Sequence, residues 1–142
     1  MHQPRAKSGF SLVELIIVVI VVGILAAVAT PIYYKNMEKA IRAEAIAGIG
    51  SILVELRIAY GVDGRFPISP TYKKVVGQAW NDIQAGELTG KYFRDKNYKY
   101  LSLDGIAYRV RCAKNGVLEK NVWVDETGRW KFDTDVVAGD EE

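Results

Sequence analysis

The feature that most constrains this chain is a long apolar run that begins directly after a glutamate. Residues Leu15–Ala29 read LIIVVIVVGILAAVA without one polar side chain, and Glu14 precedes them. With its flanking residues the run extends from Phe10 to Tyr34, and a helix needs only about 20 apolar residues to cross a bilayer. The sequence therefore predicts a membrane-spanning helix over 10–34 with one carboxylate near its start.

The carboxylate of Glu14 is costly in such a place. A charge at the centre of a membrane helix costs about 2.5 to 3.5 kcal/mol on insertion scales, and less near an end. A position at the solvated interface would lower that cost, but five apolar or small residues, GFSLV, already precede Glu14. Ionisable residues of this kind usually have a function and a partner, so Glu14 is a candidate functional residue.

An ordinary secretory signal is one alternative for the same segment. It also has a basic start and an apolar stretch, and LAAVAT at Leu25–Thr30 would allow cleavage after Ala29. The apolar core of such a signal is usually about 7 to 15 residues long and does not begin with a carboxylate. Both differences disfavour this alternative.

The residues around Glu14 resemble the type III signal of type IV pilins and the related pseudopilins. A short basic head ends at Gly9, the sequence FSLVE follows from Phe10 to Glu14, and the apolar helix comes next. The resemblance is specific over 7–34 and covers the rest only by general layout. It implies that prepilin peptidase, a membrane aspartyl protease, cuts between Gly9 and Phe10 on the cytoplasmic side. The same enzyme would methylate the new amine of Phe10, and the helix would stay with the mature protein.

The resemblance also implies how subunits assemble. In the family, the glutamate of one subunit is thought to meet the amino terminus of a neighbour, so Glu14 would pair with the Phe10 amine of another copy. Gly23 and Pro31 weaken the helix at places comparable to those where the helix of related pilins is partly unwound in the filament. A simple kink between the membrane and soluble portions is the alternative, and the sequence leaves both open.

Helical periodicity continues beyond the membrane segment over 35–60, because apolar residues recur there every three or four positions. This stripe comprises Ile41, Ala45, Ile49, Ile52, Leu56 and Ala59. A single helix over Phe10–Tyr60 would be roughly 75 Å long at about 1.5 Å per residue. Gly61, Asp63 and Gly64 then form a plausible stop.

The remaining residues, 61–142, predict a globular head. Its first part is turn-rich and reads as a surface loop region, with a short irregular helix possible over Lys73–Ala85. Alternation with period two and glycine-containing turns then predict four antiparallel strands: Tyr98–Leu103, Ile106–Lys114, Val117–Asp125 and Arg129–Asp133. The expected fold is α+β and pilin-like: a long N-terminal helix, half membrane-spanning and half amphipathic, packed on a four-stranded antiparallel sheet. The expected parts are a leader (1–9), the membrane half of the helix (10–34), its amphipathic half (35–60) and the head (61–142).

The sequence contains few candidate catalytic or metal-binding residues. His2 is the only histidine and lies in the head of the signal, and Cys112 is the only cysteine, so no disulfide can form within one chain. We expect Cys112 to be buried, and we expect no enzyme activity, cofactor or metal. The acidic residues near the end fit no oxygen-ligand loop, although some pseudopilins bind calcium in that region; they are Asp125, Glu126, Asp133 and Asp135.

Nucleic acid is an unlikely partner. The net charge of +2 falls to 17 basic against 17 acidic residues when Arg5 and Lys7 are set aside. The segment KYFRDKNYKY, Lys91–Tyr100, interleaves bases with aromatics as a single-strand surface would, but Asp95 interrupts it and Tyr98 and Tyr100 equally fit inward strand positions.

The leading expectation is a type IV pilin subunit. It would start as a single-pass inner-membrane precursor with a cytoplasmic leader, would meet prepilin peptidase, the inner-membrane assembly machinery and other pilins, and would polymerise into a helical, extracellular homopolymer. A pseudopilin in a periplasmic type II secretion fibre is the first alternative. A minor or tip pilin that binds DNA or a surface ligand is the second.

Overall fold

The structure, a computed structural model, describes residues 9–113, 116, 118 and 120–133. The chain divides into two compact units, 1–37 and 38–142. Helix α1, Leu12–Asp63, has 52 residues and contributes to both units. It begins two residues later and ends three residues later than the sequence predicts. Gly64 follows it with φ of 68° and donates its N–H to the carbonyl of Tyr60 at 2.8 Å, which is the usual left-handed end of a helix.

The first unit contains the apolar part of α1. By length and composition α1 can cross a membrane: its most apolar 18-residue window has a mean hydropathy of 3.1, and none of that window is buried. The helix runs without a break through Gly23 and Pro31. Next to the proline, the hydroxyl of Thr30 donates to the carbonyl of Ala26 at 2.7 Å, one residue before Ala27, whose carbonyl loses its helical donor to Pro31.

In the second unit, the apolar stripe predicted on α1 is confirmed. The buried residues of the helix are Ile41, Ala45, Ile49, Ile52, Leu56 and Ala59. Val54 and Ile58, in contrast, lie on the exposed side of the helix. The exposed side of α1 therefore carries more apolar residues than the exposed side of an ordinary amphipathic helix.

The sheet of the second unit has five strands, not the four that the sequence predicts. They are β1 (Ser69–Lys74), β2 (Tyr98–Ser102), β3 (Arg109–Cys112), β4 (Asn121–Asp125) and β5 (Trp130–Asp133). The strands lie in the order β1-β2-β3-β4-β5, and every neighbouring pair is antiparallel. The α+β class with a helix packed on an antiparallel sheet is confirmed, and the strand number is corrected.

Strand β1 lies where we expected a surface loop. Pro70 lies inside it, and proline is tolerated there because β1 is an edge strand whose outer side needs no backbone donor. Its register to β2 also shifts between Ser69 and Lys73. The irregular helix expected over Lys73–Ala85 is wrong: β1 ends at Lys74, and turns follow, tied by the Asn81 amide, which donates to the Val75 carbonyl at 3.0 Å.

The other predicted strands exist but are shorter. The loop after β2 extends to Ala107 because the Asp104 carboxylate accepts the N–H groups of Ile106 and Ala107, at 2.9 and 3.0 Å. Strand β3 therefore starts at Arg109 instead of Ile106. Strand β4 starts at Asn121 rather than Val117, and both Lys114 and Val117 lie outside the described residues. Gly128, with φ of 76°, forms the β4–β5 turn as predicted.

The strand register gives the sheet an apolar inner face. One row across it joins Tyr98, Cys112, Val122 and Phe132, and a second row joins Tyr100, Val110, Val124 and Trp130. The members of these rows on β2, β3 and β4 are all fully buried, whereas Trp130 and Phe132 on the edge strand β5 are partly exposed. The core of this unit therefore lies between the inner face and the buried stripe of α1.

Candidate functional site

The start of α1 shows what Glu14 does within one chain. The N–H of Ser11 donates to Oε2 of Glu14 at 3.0 Å, and the hydroxyl of Ser11 accepts the N–H of Val13 at 3.3 Å. These bonds cap the helix start as a capping box does, except that the serine hydroxyl accepts the N–H of Val13 instead of that of Glu14. The signal for this cap, Ser-x-x-Glu, is present in the sequence, but we did not predict the cap from it.

This cap fixes where the carboxylate of Glu14 lies. It points back toward the N-terminal end of the helix, where the backbone dipole favours negative charge. The carboxylate accepts the N–H of Ser11, which is the residue directly after Phe10. Phe10 itself is 78% exposed. The predicted cleavage position, between Gly9 and Phe10, directly precedes α1 and is exposed on both sides. The basic residues Arg5 and Lys7 lie outside the described residues.

Gly23 and Pro31, the two predicted weak positions, both lie inside the continuous helix. A Cβ added at Gly23 would meet nothing within 4 Å in the chain. Within one chain the packing at this position therefore accepts a larger residue, and the predicted roles of Gly23 and Pro31 in a filament stay predictions.

A second glutamate of α1, Glu44, has a structural role that the sequence did not reveal. Its carboxylate accepts three consecutive backbone N–H groups, from Lys91 at 3.1 Å and from Tyr92 and Phe93 at 2.8 Å each. A Cβ at Gly90 would overlap this carboxylate. Glu44 thus ties the loop before β2 to the helix, across 47 to 49 residues of sequence, and no local pattern signals such a contact.

The segment Lys91–Tyr100 does not form one continuous surface. Phe93, Tyr98 and Tyr100 are buried, while Lys91 and Lys96 are exposed. The carboxylate of Asp95 accepts hydrogen bonds from the N–H of Gly86 at 2.6 Å and from the hydroxyl of Thr89 at 3.0 Å. These bonds hold the loop that precedes β2. The aromatic rings that a single strand would stack on are therefore largely in the core.

Cys112 is buried, as predicted. Burial raises the pKa of its thiol from 9.0 to about 12, against a lowering effect of the side-chain hydrogen bond to Tyr98. Burial likewise raises the pKa of the Tyr98 phenol. Both groups are neutral at physiological pH, which suits a packed core.

Among the acidic residues near the end of the sheet, the carboxylate that the structure describes in detail, that of Asp125, accepts hydrogen bonds from a turn. Asp125 accepts the N–H groups of Thr127 and Arg129 at 3.0 and 3.3 Å. The pKa of Asp125 is lowered, and the largest cause is the hydrogen bond from the Thr127 hydroxyl. Asp104 behaves similarly, since the N–H groups of Ala107 and Ile106 lower its pKa. Within the described residues no group of histidine, cysteine and acidic side chains could hold a metal ion. Asp135 and the side chain of Asp133 lie outside the described residues.

The similarities to known proteins agree with the geometry at the helix start. The model of the prokaryotic N-terminal methylation motif matches residues 4–30. Type II secretion system core protein G of Aeromonas hydrophila is 34% identical over 65 residues, which are 46% of this chain and 46% of that protein. Fimbrial protein EcpB of Eikenella corrodens is 53% identical over 34 residues, which are 24% of this chain and 21% of that protein. No solved structure matches.

The chain spans less than half the length of the curated relatives it matches. The methylation motif covers the segment that carries Gly9, Phe10 and Glu14, and the relatives are a type II secretion core protein and a fimbrial protein. The chain thus carries the prokaryotic N-terminal methylation motif at the start of a long helix that packs further along on an antiparallel sheet, and part of it is similar to a type II secretion core protein and to a fimbrial protein.

Proposed function

We propose that this protein is a filament subunit. Prepilin peptidase cuts it between Gly9 and Phe10 and methylates the Phe10 amine, and the mature protein polymerises through its N-terminal helix into an extracellular pilus. The observation that carries this proposal is the apolar run of α1, which directly follows Glu14 and whose large side chains are exposed within the chain. The protein acts by association, without a catalytic step of its own.

The exposed apolar surface requires two successive environments. Large side chains from Phe10 to Tyr34 are about half or more exposed within the chain, and so much contiguous apolar surface is not stable in water. Lipid covers it in the membrane-anchored precursor. In the filament, the helices of other copies cover it, because packed helices bury the same surface without lipid.

Glu14 supports assembly by its charge and position. The cap at the helix start holds its carboxylate at the N-terminal end of α1, where cleavage creates a cationic amine on Phe10. In a bundle of apolar helices each charge is costly unless it meets the other. Pairing between the Glu14 carboxylate of one subunit and the Phe10 amine of its neighbour neutralises both and fixes the axial register of the helices.

The test is Glu14→Ala in the full-length precursor. We expect processing to continue, and we expect the yield of sheared filaments to fall by about tenfold or more, because an unpaired buried charge costs about 3 to 5 kcal/mol. Glu38→Ala is the matched control, since Glu38 is an exposed carboxylate of the same helix. Normal filament yield from processed Glu14→Ala protein would contradict the registry role.

A pseudopilin of a type II secretion system is the second candidate. It is favoured by the 65-residue similarity to the type II secretion protein, which covers more of the chain than the 34-residue similarity to the fimbrial protein. The single cysteine also cannot close the disulfide loop common in type IVa pilins. Filaments recovered by shearing the cell surface support the pilus, whereas a fibre confined to the periplasm and required for protein secretion supports the pseudopilus.

A further inference from the structure

Within the second unit, helix α1 has another apolar face, opposite the stripe that packs on the sheet. Apolar residues recur along it every three or four positions, and none of them has a polar side chain. They are Ala43, Ala47, Gly50, Val54, Ile58 and Gly61. At about 100° per residue these positions lie on the side of the helix opposite the buried stripe. We call these six residues the back face.

The back face is uncovered within the chain. Val54 is 53% exposed and Ile58 is 57% exposed. A Cβ added at Gly50 would meet nothing within 4 Å. A helix whose outer side met only water would carry charged or polar side chains there. A contiguous apolar strip over about five helical turns is instead typical of a contact surface.

The charged residues beside the back face are sorted by sign. Lys39 and Arg57 lie along one border, whereas Glu44 and Glu55 lie along the other. The Glu44 carboxylate is engaged by three backbone N–H groups of its own chain. Glu55 is half-buried and accepts the N–H of Asp82 at 3.2 Å, which leaves further acceptor capacity on its carboxylate. Arg57 is exposed.

This arrangement of charge is complementary to itself in one orientation. When two parallel helices related by a twofold axis pack through their back faces, the basic border of each faces the acidic border of the other. An antiparallel pair would instead bring borders of the same sign together. Arg57 and Glu55 are two residues apart, or about 3 Å along the helix, so they lie at nearly the same level in a parallel pair.

Membrane anchoring imposes the same orientation. Copies that cross one bilayer with the same topology can form a closed pair only about an axis along the membrane normal, and equivalent residues then lie at equal heights. Arg57 of one anchored copy is therefore close in height to Glu55 of the other. This step rests on the membrane-anchored precursor of the proposed function and not on polymerisation.

We propose that two membrane-anchored copies of this chain form a parallel dimer through their back faces, with Arg57 of each copy paired with Glu55 of the other. The dimer covers Val54 and Ile58 of both copies before any filament forms. Because the ion pairs lie at the border of the contact, near solvent, salt weakens them.

Disulfide crosslinking of the full chain in vesicles tests the dimer. The chain is reconstituted at low density in phosphatidylethanolamine and phosphatidylglycerol and oxidised with copper phenanthroline, and non-reducing electrophoresis measures the linked dimer. Because a disulfide requires Cα atoms within about 7 Å, Val54→Cys should give about fivefold more linked dimer than Val62→Cys. Val62 is the matched control, since it is 80% exposed on the same helix but lies outside the back face. The unmodified chain, whose Cys112 is buried, gives the background.

The ion pair is tested in the Val54→Cys background. Arg57→Glu places like charges together, so it should lower crosslinking by about threefold or more at low salt, whereas Arg57→Lys should retain most of it. Arg65→Glu changes the total charge equally at an exposed position beyond the helix and should have no effect.

Equal crosslinking through Val54→Cys and Val62→Cys would overturn the proposal, as would equal effects of Arg57→Glu and Arg65→Glu. Crosslinking that falls in proportion to dilution with lipid would indicate random encounters and would overturn it too. Val54→Cys crosslinks found in assembled filaments but not in vesicles would assign the back face to a filament contact and contradict the precursor dimer. The vesicles contain no assembly machinery, so this result is independent of filament formation: normal filaments without the dimer would overturn the dimer alone.

Discussion

Two glutamates of helix α1 have different structural roles because their carboxylates accept hydrogen bonds from different backbone donors. Glu14 accepts one backbone N–H, within the first turn of α1, and is exposed. Glu44 accepts three, all from a loop distant in sequence, and is half-buried. A carboxylate that receives several backbone donors fixes the position of the loop, whereas a single cap leaves the carboxylate able to meet a further cation.

Glu44→Ala should destabilise the protein by about 2 to 3 kcal/mol, because three backbone N–H groups lose a charged acceptor. The measurement is chemical denaturation of the full chain in detergent. Glu38→Ala is the control on the same helix: Glu38 forms an exposed pair with Arg42, and its loss should change stability by no more than about 0.5 kcal/mol. Equal, small effects of the two substitutions would show that Glu44 does not anchor the loop.

At the scale of elements, periodic patterns were predictable and irregular contacts were not. The stripe from Ile41 to Ala59 was found because each residue repeats at helical spacing, and the strands after Tyr98 were found from alternation and turn glycines. Strand β1 was missed because Pro70 suggests a loop, and its edge position becomes evident only when β2 is placed beside it. The Glu44 contact was missed for the same reason, since it joins segments that are distant in sequence.

Two glycines of α1 give a test of helix packing. A Cβ at Gly48 would overlap the ring of Tyr98, which is 1% exposed, whereas a Cβ at Gly50 would meet nothing within 4 Å. Alanine favours a helix over glycine by about 1 kcal/mol, so Gly50→Ala should stabilise the protein by about 0.5 to 1 kcal/mol. Gly48→Ala should instead destabilise it by about 1 to 3 kcal/mol, because the ring has no room to move.

Thermal unfolding of the two variants in the same detergent measures the difference. The predicted order of midpoints is Gly50→Ala, then the unmodified chain, then Gly48→Ala. If Gly48→Ala were as stable as Gly50→Ala, helix α1 would not pack on β2 as closely as the structure places it.

At the scale of the whole molecule, one chain combines a segment that needs a non-aqueous partner with a unit that has its own core. Residues 12–34 leave their apolar side chains exposed, whereas the second unit buries its helix stripe against the sheet. The sequence predicted this division because the apolar run and the periodic stripe are distinct patterns. The cap formed by Ser11 and Glu14 also has a sequence signal, but its meaning for assembly depends on cleavage at Gly9.

The intact mass of the protein in isolated filaments tests the central proposal most directly. Cleavage after Gly9 and methylation place an N-methylated Phe10 at the start of the mature chain, with the apolar helix retained, and top-down fragmentation locates both changes. We predict that this species is the filament subunit. Filament protein that retains residues 1–9, or that begins after Ala29 and so lacks Glu14 and the apolar helix, would contradict it.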